Sequence, residues 1–130
     1  MPKGLVVQKY GGSSVANVLR IKKVAQRVVS YRKKGYSLVV VVSALGDTTD
    51  ELIELADKIN PNPSEREMDM LLSTGEQISA ALLAMAIQKL GSEAISFTGS
   101  QVGIITDTSH THARIIKISA DKIDDLIIID

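Results

Sequence analysis

Leu5-Val6-Val7-Gln8-Lys9-Tyr10-Gly11-Gly12-Ser13-Ser14-Val15 is the stretch on which the fold turns. Its first six residues gather β-branched side chains as a strand does, and two glycines end the run. From Ser14 the apolar spacing becomes helical, with Val15, Val18, Ile21, Val24, Ala25, Val28 and Val29 on one stripe. Arg32, Lys33 and Lys34 then meet Gly35, a cationic last turn followed by a glycine cap. Leu38 to Val42 is uninterruptedly apolar, the pattern of a strand covered on both faces. Strand, helix and buried strand in that order open an α/β unit.

Working outward, Ser43 to Thr48 reads as a loop and Leu52, Ile53, Leu55, Ala56 and Ile59 as the apolar stripe of a second helix. Thr48 and Glu51 are spaced as a capping box at its start. Asn60-Pro61-Asn62-Pro63 ends it in a surface connection. Ser64 and Glu67 form a second box, opening a helix through Met68, Leu71 and Leu72 that Gly75 interrupts. Gln77 to Leu90 resumes as a helix apolar nearly all round, which predicts burial, and the four Met residues, Met68 and Met70 among them, read as core packing.

Gly91 closes that helix, and Ala94 to Phe97 reads as a third strand. Thr98 to Gly103 is turn-rich. Ile104 to Thr106 and Ala113 to Ile118 pair as a hairpin around Asp107 to His112, and Ala120 to Asp130 begins like a helix and ends apolar. Strands that alternate with helices and are themselves nearly all apolar predict one α/β domain over residues 1–130, with a mainly parallel sheet between helical layers. In such sheets ligands bind beyond the carboxyl ends of the strands. The chemistry is therefore expected at Lys9 to Ser14, Ser43 to Thr49 and Thr98 to Gly103.

Composition narrows the function classes. The 130 residues balance 15 Lys and Arg against 15 Asp and Glu, which argues against a nucleic-acid protein. There is no Cys, hence no disulfide frame, Cys-zinc site or thiol nucleophile. The amino terminus is too short and polar for a signal peptide, and no apolar run approaches the ~20 residues of a membrane span. A soluble, cytoplasmic chain is the expectation.

Each candidate site has two readings. In Lys9-Tyr10-Gly11-Gly12-Ser13-Ser14, two glycines and a following helix start offer backbone N–H groups to a phosphate, with Lys9 placed to reach bridging oxygens. The plainer reading is a tight strand–helix turn with a serine cap. Ser43 and Thr49 are hydroxyls suited to a carboxylate or phosphate, and equally suited to turn chemistry. Ser73 and Glu76 fit a third capping box, the reading that local physics prefers; alternatively Glu76 receives an ammonium group. His110 and His112 sit in a polar loop, where alternate spacing is weak metal evidence.

Taken together, four segments resemble the amino-terminal part of the aspartate kinases, members of the amino-acid kinase family. They are Val7 to Val15, Val41 to Leu52, Arg66 to Glu76 and Ser96 to Gly103, in matching order and spacing from about residue 4 to residue 118. The resemblance implies a three-layer α/β/α sandwich, truncated to the amino-terminal half of a catalytic domain. It implies a transferase that uses ATP and Mg²⁺, the metal held mainly through the phosphates, to phosphorylate the side-chain carboxylate of L-aspartate. The product, 4-phospho-L-aspartate, leads to lysine, threonine and methionine.

By the same resemblance Lys9 contacts the transferring phosphoryl group, with Tyr10, Gly11, Gly12, Ser13 and Ser43 around it. Ser43, Thr49 and Glu76 bind aspartate, Glu76 facing its α-ammonium. Homo-oligomers, or association with the complementary part of the enzyme, are implied as partners. The alternative is a non-catalytic fragment or subunit that holds part of the aspartate and phosphate site. A kinase of another acid, such as glutamate, is more distant, because the Ser73 to Glu76 segment is of the aspartate type.

Overall fold

The computed structural model describes residues 3–98, 104–106, 115–118 and 126–129. The elements in chain order are β1 (Leu5–Tyr10), a 3₁₀ turn (Gly12–Val15), α1 (Val18–Lys33), β2 (Ser37–Val42), α2 (Thr48–Ile59) and α3 (Glu65–Lys89). Four short strands follow: β3 (Ile95–Phe97), β4 (Ile104–Thr106), β5 (Ile115–Ile118) and β6 (Leu126–Ile129). The expected α/β class with a mainly parallel sheet is present. One sheet has the order β1-β2-β6-β3 with every pairing parallel, and β4 pairs antiparallel with β5 as a separate hairpin.

The last strand takes an inner place. β6 lies between β2 and β3, aligning Leu38 with Leu126, Val39 with Ile127 and Ile95 with Ile127. Leu126 and Ile127 are each 2% exposed, Ile128 is fully buried and Ile129 is 6% exposed. Four consecutive apolar residues suit this position because both sheet faces are covered there. The apolar end of the sequence is thus core, where sequence periodicity placed only a helical start and an apolar tail.

Alternation along the strands divides the core. Leu38, Val40, Val42, Leu126 and Ile128 face α1 and α3, meeting Ile21, Val24, Val28, Leu83 and Ile87. Val39, Ile127 and Ile129 form a second cluster on the opposite face with Val41 and Phe97. The register aligns Lys9 with Val41 and Tyr10 with Val42. Lys9 therefore projects on the side of the second cluster, and Tyr10 on the α1 side.

Several helix boundaries differ from expectation. The helix expected from Ser14 begins at Val18, because extended Asn17 caps it by accepting the Arg20 N–H at Oδ1 (3.0 Å). Val18 itself is exposed, whereas the rest of the predicted stripe is buried. Gly35, at φ +99°, ends α1 as expected, donating its N–H to the Arg32 carbonyl.

The Thr48–Glu51 capping box does not form. Thr48 is the first helical residue and donates its N–H to Leu45, while Glu51 donates its N–H to the Asp47 carbonyl. Ser64 does cap α3, accepting the Glu67 N–H at 3.3 Å, but the Glu67 carboxylate pairs with Arg66. α3 is one helix of 25 residues that runs through Gly75 without interruption.

Burial of α3 is also one-sided. Gly75, Ser79, Ala80, Leu83, Ala84 and Ile87 face inward. Met70 and Met85 are 56% and 61% exposed, so both are surface rather than the core packing expected of them. By length and composition the helix is apolar enough to cross a membrane. Its packing against α1, β2 and β6 is that of a core helix.

Candidate functional site

The parallel strands bring their carboxyl ends to one edge, and three of the predicted segments meet there. The Ser43 N–H donates to the Tyr10 carbonyl at 3.2 Å, joining the first two strand ends. The Gly46 N–H donates to the Gly12 carbonyl at 3.2 Å, so the loop after β2 lies on the glycine turn after β1. A Cβ at Gly12 would stand 3.3 Å from the Ala44 carbonyl oxygen, closer than most side chains tolerate. Gly12 thus lets the two loops approach without a side chain pressing on that carbonyl. The turn is also tethered by Arg20, whose Nη1 donates to the Ser13 carbonyl at 2.7 Å.

The third segment arrives through Gly75. A Cβ there would sit 3.1 Å from the Ala44 Cβ and 3.3 Å from the Thr48 Cγ2. Glycine inside a helix costs about 1 kcal/mol against alanine, and here it admits the backbone of α3 against the Ser43–Thr48 loop. Gly75→Val is expected to lower unfolding stability in urea by about 1–3 kcal/mol through overpacking. Unchanged stability would show that the contact yields freely.

This packing revises the reading of Ser73 to Glu76. The segment lies inside α3, not at its start; Ser73 Oγ donates to the Met70 carbonyl at 2.9 Å and Thr74 Oγ1 to the Leu71 carbonyl at 2.6 Å. Those are mid-helix bonds, so the predicted cap is absent. Glu76, half-buried, follows directly on the glycine that touches the loop. Thr49, in the first turn of α2, is also half-buried, as are Ser43 and Gly12, while Lys9, Gly11 and Ser13 are exposed.

Tyr10 stands apart from the other predicted site residues. Its ring faces α1, and its hydroxyl donates to the Gln8 Oε1 at 2.9 Å. Burial raises its pKa, against the nearby Arg27 guanidinium. Of the Thr98 to Gly103 loop, Thr98 follows the end of β3; residues 99–103, and His110 and His112, lie outside the described residues. No group of three or more His, Cys, Asp or Glu residues is placed to hold a metal among the described residues.

The model of the amino acid kinase family matches residues 4–128, nearly the whole chain. The chain belongs to that family. Among aspartokinases, it is 57% identical over 123 residues to that of Mycolicibacterium smegmatis, covering 95% of this chain and 29% of the relative. It is 58% identical over 119 residues to that of Corynebacterium glutamicum, covering 92% and 28%. The crystal structure of aspartate kinase from Synechocystis superposes with a TM-score of 0.81 at 48% identity, over 96% of this chain and 21% of that one. Escherichia coli aspartokinase III, in complex with aspartate and ADP, gives 0.80 at 20% identity, a likeness of fold, over 96% and 40%. This amino acid kinase chain thus spans less than a third of the length of the curated aspartokinases it matches.

Sequence reasoning missed three devices of the site. Asn17 sets where α1 begins, Arg20 holds the glycine turn, and Gly75 seats α3. Asn17 carried a legible signal, a capping residue three before Arg20. Gly75 was visible but ambiguous, since a helix-interior glycine signals either a break or a close approach.

Proposed function

We propose that residues 1–130 are the amino-terminal half of a kinase catalytic domain that phosphorylates the side-chain carboxylate of L-aspartate with ATP. The observation that carries this reading is the seating of Gly75 on the Ser43–Thr48 loop, itself bonded to the Gly11–Gly12 turn. That packing supports reading Ser43, Thr49 and Glu76 as the aspartate side of one site whose phosphate side is Lys9, Gly11, Gly12 and Ser13, with the Tyr10 backbone. The names of the relatives, and the aspartate and ADP complex of the Escherichia coli enzyme, support the choice of substrates.

The chemistry asks the protein for alignment and charge. An aspartate carboxylate oxygen attacks the γ-phosphorus and forms an O–P bond as the bond to the β-bridging oxygen breaks, releasing ADP and 4-phospho-L-aspartate. A carboxylate is already a nucleophile, so no general base is required. Two anions must approach, and Lys9 with the backbone N–H groups of the glycine turn would offset their repulsion. Glu76 would fix the α-ammonium and so orient the attacking end. The described residues offer no carboxylate or imidazole cluster for Mg²⁺, and no step is assigned to it.

We further read the enzyme as cytoplasmic, completed by a nucleotide-binding half or by association of subunits. The second reading, a non-catalytic fragment, follows from the share of its relatives that the chain spans, and on it the chain alone turns over no ATP.

The test is Glu76→Gln in a chimaera where this chain replaces the matching segment of the Mycolicibacterium smegmatis enzyme. Losing a charged hydrogen bond, worth roughly 1.5–3 kcal/mol, is expected to raise KM for aspartate by about ten- to a hundredfold. KM for ATP should change far less. Equal changes in the two constants would remove Glu76 from the aspartate site.

A further inference from the structure

The zero net charge conceals a segregation. Residues 1–46 hold nine Lys and Arg and no Asp or Glu, so all 15 acidic residues lie from Asp47 onward. The β1–α1–β2 unit therefore has no acid of its own with which to pair its cations.

Three of those cations gather at one place. Arg20, Lys23 and Arg27, on successive turns of α1, line a cleft of about 370 Å³ with Tyr10, Ser14 and Val24. The spacing i, i+3, i+7 sets the three on one helix face, so the clustering is a property of the helix. Among the described residues none of the three forms an ion pair. The cleft is open to solvent rather than enclosed, so charge more than burial would hold a ligand there. Arg20 is already held, by its bond to the Ser13 carbonyl, so ordering it costs a ligand little. Tyr10 forms a neutral wall, its hydroxyl bonded to Gln8.

The cleft is separate from the proposed phosphoryl-transfer site. Tyr10 lines it from the α1 side of β1, whereas Lys9 projects on the opposite side of that strand. Like charges gathered in a concave surface focus a positive potential and raise the local concentration of counter-ions. Guanidinium forks favour phosphoryl oxygens over halide because they donate two parallel hydrogen bonds.

We propose that this cleft binds a small anion carrying two or more negative charges on phosphoryl groups. Through the bond from Arg20 to Ser13, such an anion would contact the group that tethers the glycine turn. The site is independent of the kinase reading, since it uses neither Lys9 nor Glu76.

The experiment titrates inorganic pyrophosphate into the 130-residue chain at fixed ionic strength, followed by calorimetry and by amide chemical shifts, with sodium chloride as the control anion. The expected result is saturable binding with shifts centred on Ser14, Val24 and Arg27. The double variant Lys23→Gln/Arg27→Gln should weaken it by roughly tenfold or more, the loss of two charged contacts. Lys33→Gln/Lys34→Gln, which removes the same charge from the end of α1, should leave it within about twofold. Both double variants alter exposed side chains, and thermal melts establish that they fold. Binding that survives the cleft variant, or that chloride matches, overturns the proposal; so does the absence of saturable binding.

Discussion

Lys9→Ala, made in the chimaera with the Mycolicibacterium smegmatis enzyme, is expected to lower kcat for aspartate phosphorylation by about 10²- to 10⁴-fold. The reason lies in charge. A carboxylate and a triphosphate must come within bonding distance, and electrostatic stabilisation of the transferring group is the main task left to the protein. Lys9 ends the projecting side of β1 one residue before Tyr10, whose carbonyl accepts from Ser43 at the start of the second loop. No acidic residue among the first 46 competes for its charge locally. Because the charge matters most as the phosphoryl group transfers, the loss should fall on kcat more than on either KM. Steady-state rates within threefold of the parent would remove Lys9 from this role. Lys9→Arg separates charge from shape: partial recovery indicates a positive charge at the reacting group.

The second large effect concerns the last strand. Ile128→Ala is expected to cost about 2–5 kcal/mol in denaturant unfolding, since Ile128 is fully buried against the α1 and α3 layer. Small domains hold roughly 5–15 kcal/mol in all, so one such change removes a large fraction. Ending the chain at Asp125 removes four core residues and the ladder on both β2 and β3, leaving β3 unpaired among the described strands. A chain so shortened should lose its cooperative transition and its dispersed amide spectrum. Retention of a sharp transition would show that β1, β2, α1 and α3 suffice without the inner strand.

These two cases mark what was legible in the residues. β1, α1 and β2 could be read directly because each has an unambiguous period and its own stop signal: Gly11-Gly12 after the strand, Gly35 after the helix. The inner place of β6 could not, because Leu126 to Ile129 is a short apolar run whose partners lie far back in the chain. Four residues carry no period that separates a strand from a helix end. Pairing order is a long-range property, fixed by which elements cover the sheet, and no local spacing encodes it.

At the site, residue types were readable and their context was not. Ser73 and Glu76 have the spacing of a capping box, and nothing within those four residues reveals that the helix has already begun, at Glu65. The close approach of Gly75 to Ala44 and Thr48 decides the matter, and it is a tertiary contact. Thr48 shows the reverse error: its box with Glu51 is sound in pattern, yet the helix starts one residue too early for it to form. Caps depend on a boundary that periodicity locates only to within a few residues.

The most direct test of the central claim is acyl-phosphate formation, trapped with hydroxylamine, by the unaltered chimaera supplied with ATP and either L-aspartate or L-glutamate. The expected result is hydroxamate formed with aspartate at a rate at least about a hundredfold above that with glutamate, because Glu76 on the α-ammonium, together with Thr49, would set the shorter acid's carboxylate within reach of the phosphoryl group. Comparable rates with the two acids, or a folded chimaera that binds ATP yet forms no aspartyl hydroxamate, would contradict the assignment of this chain to aspartate phosphorylation.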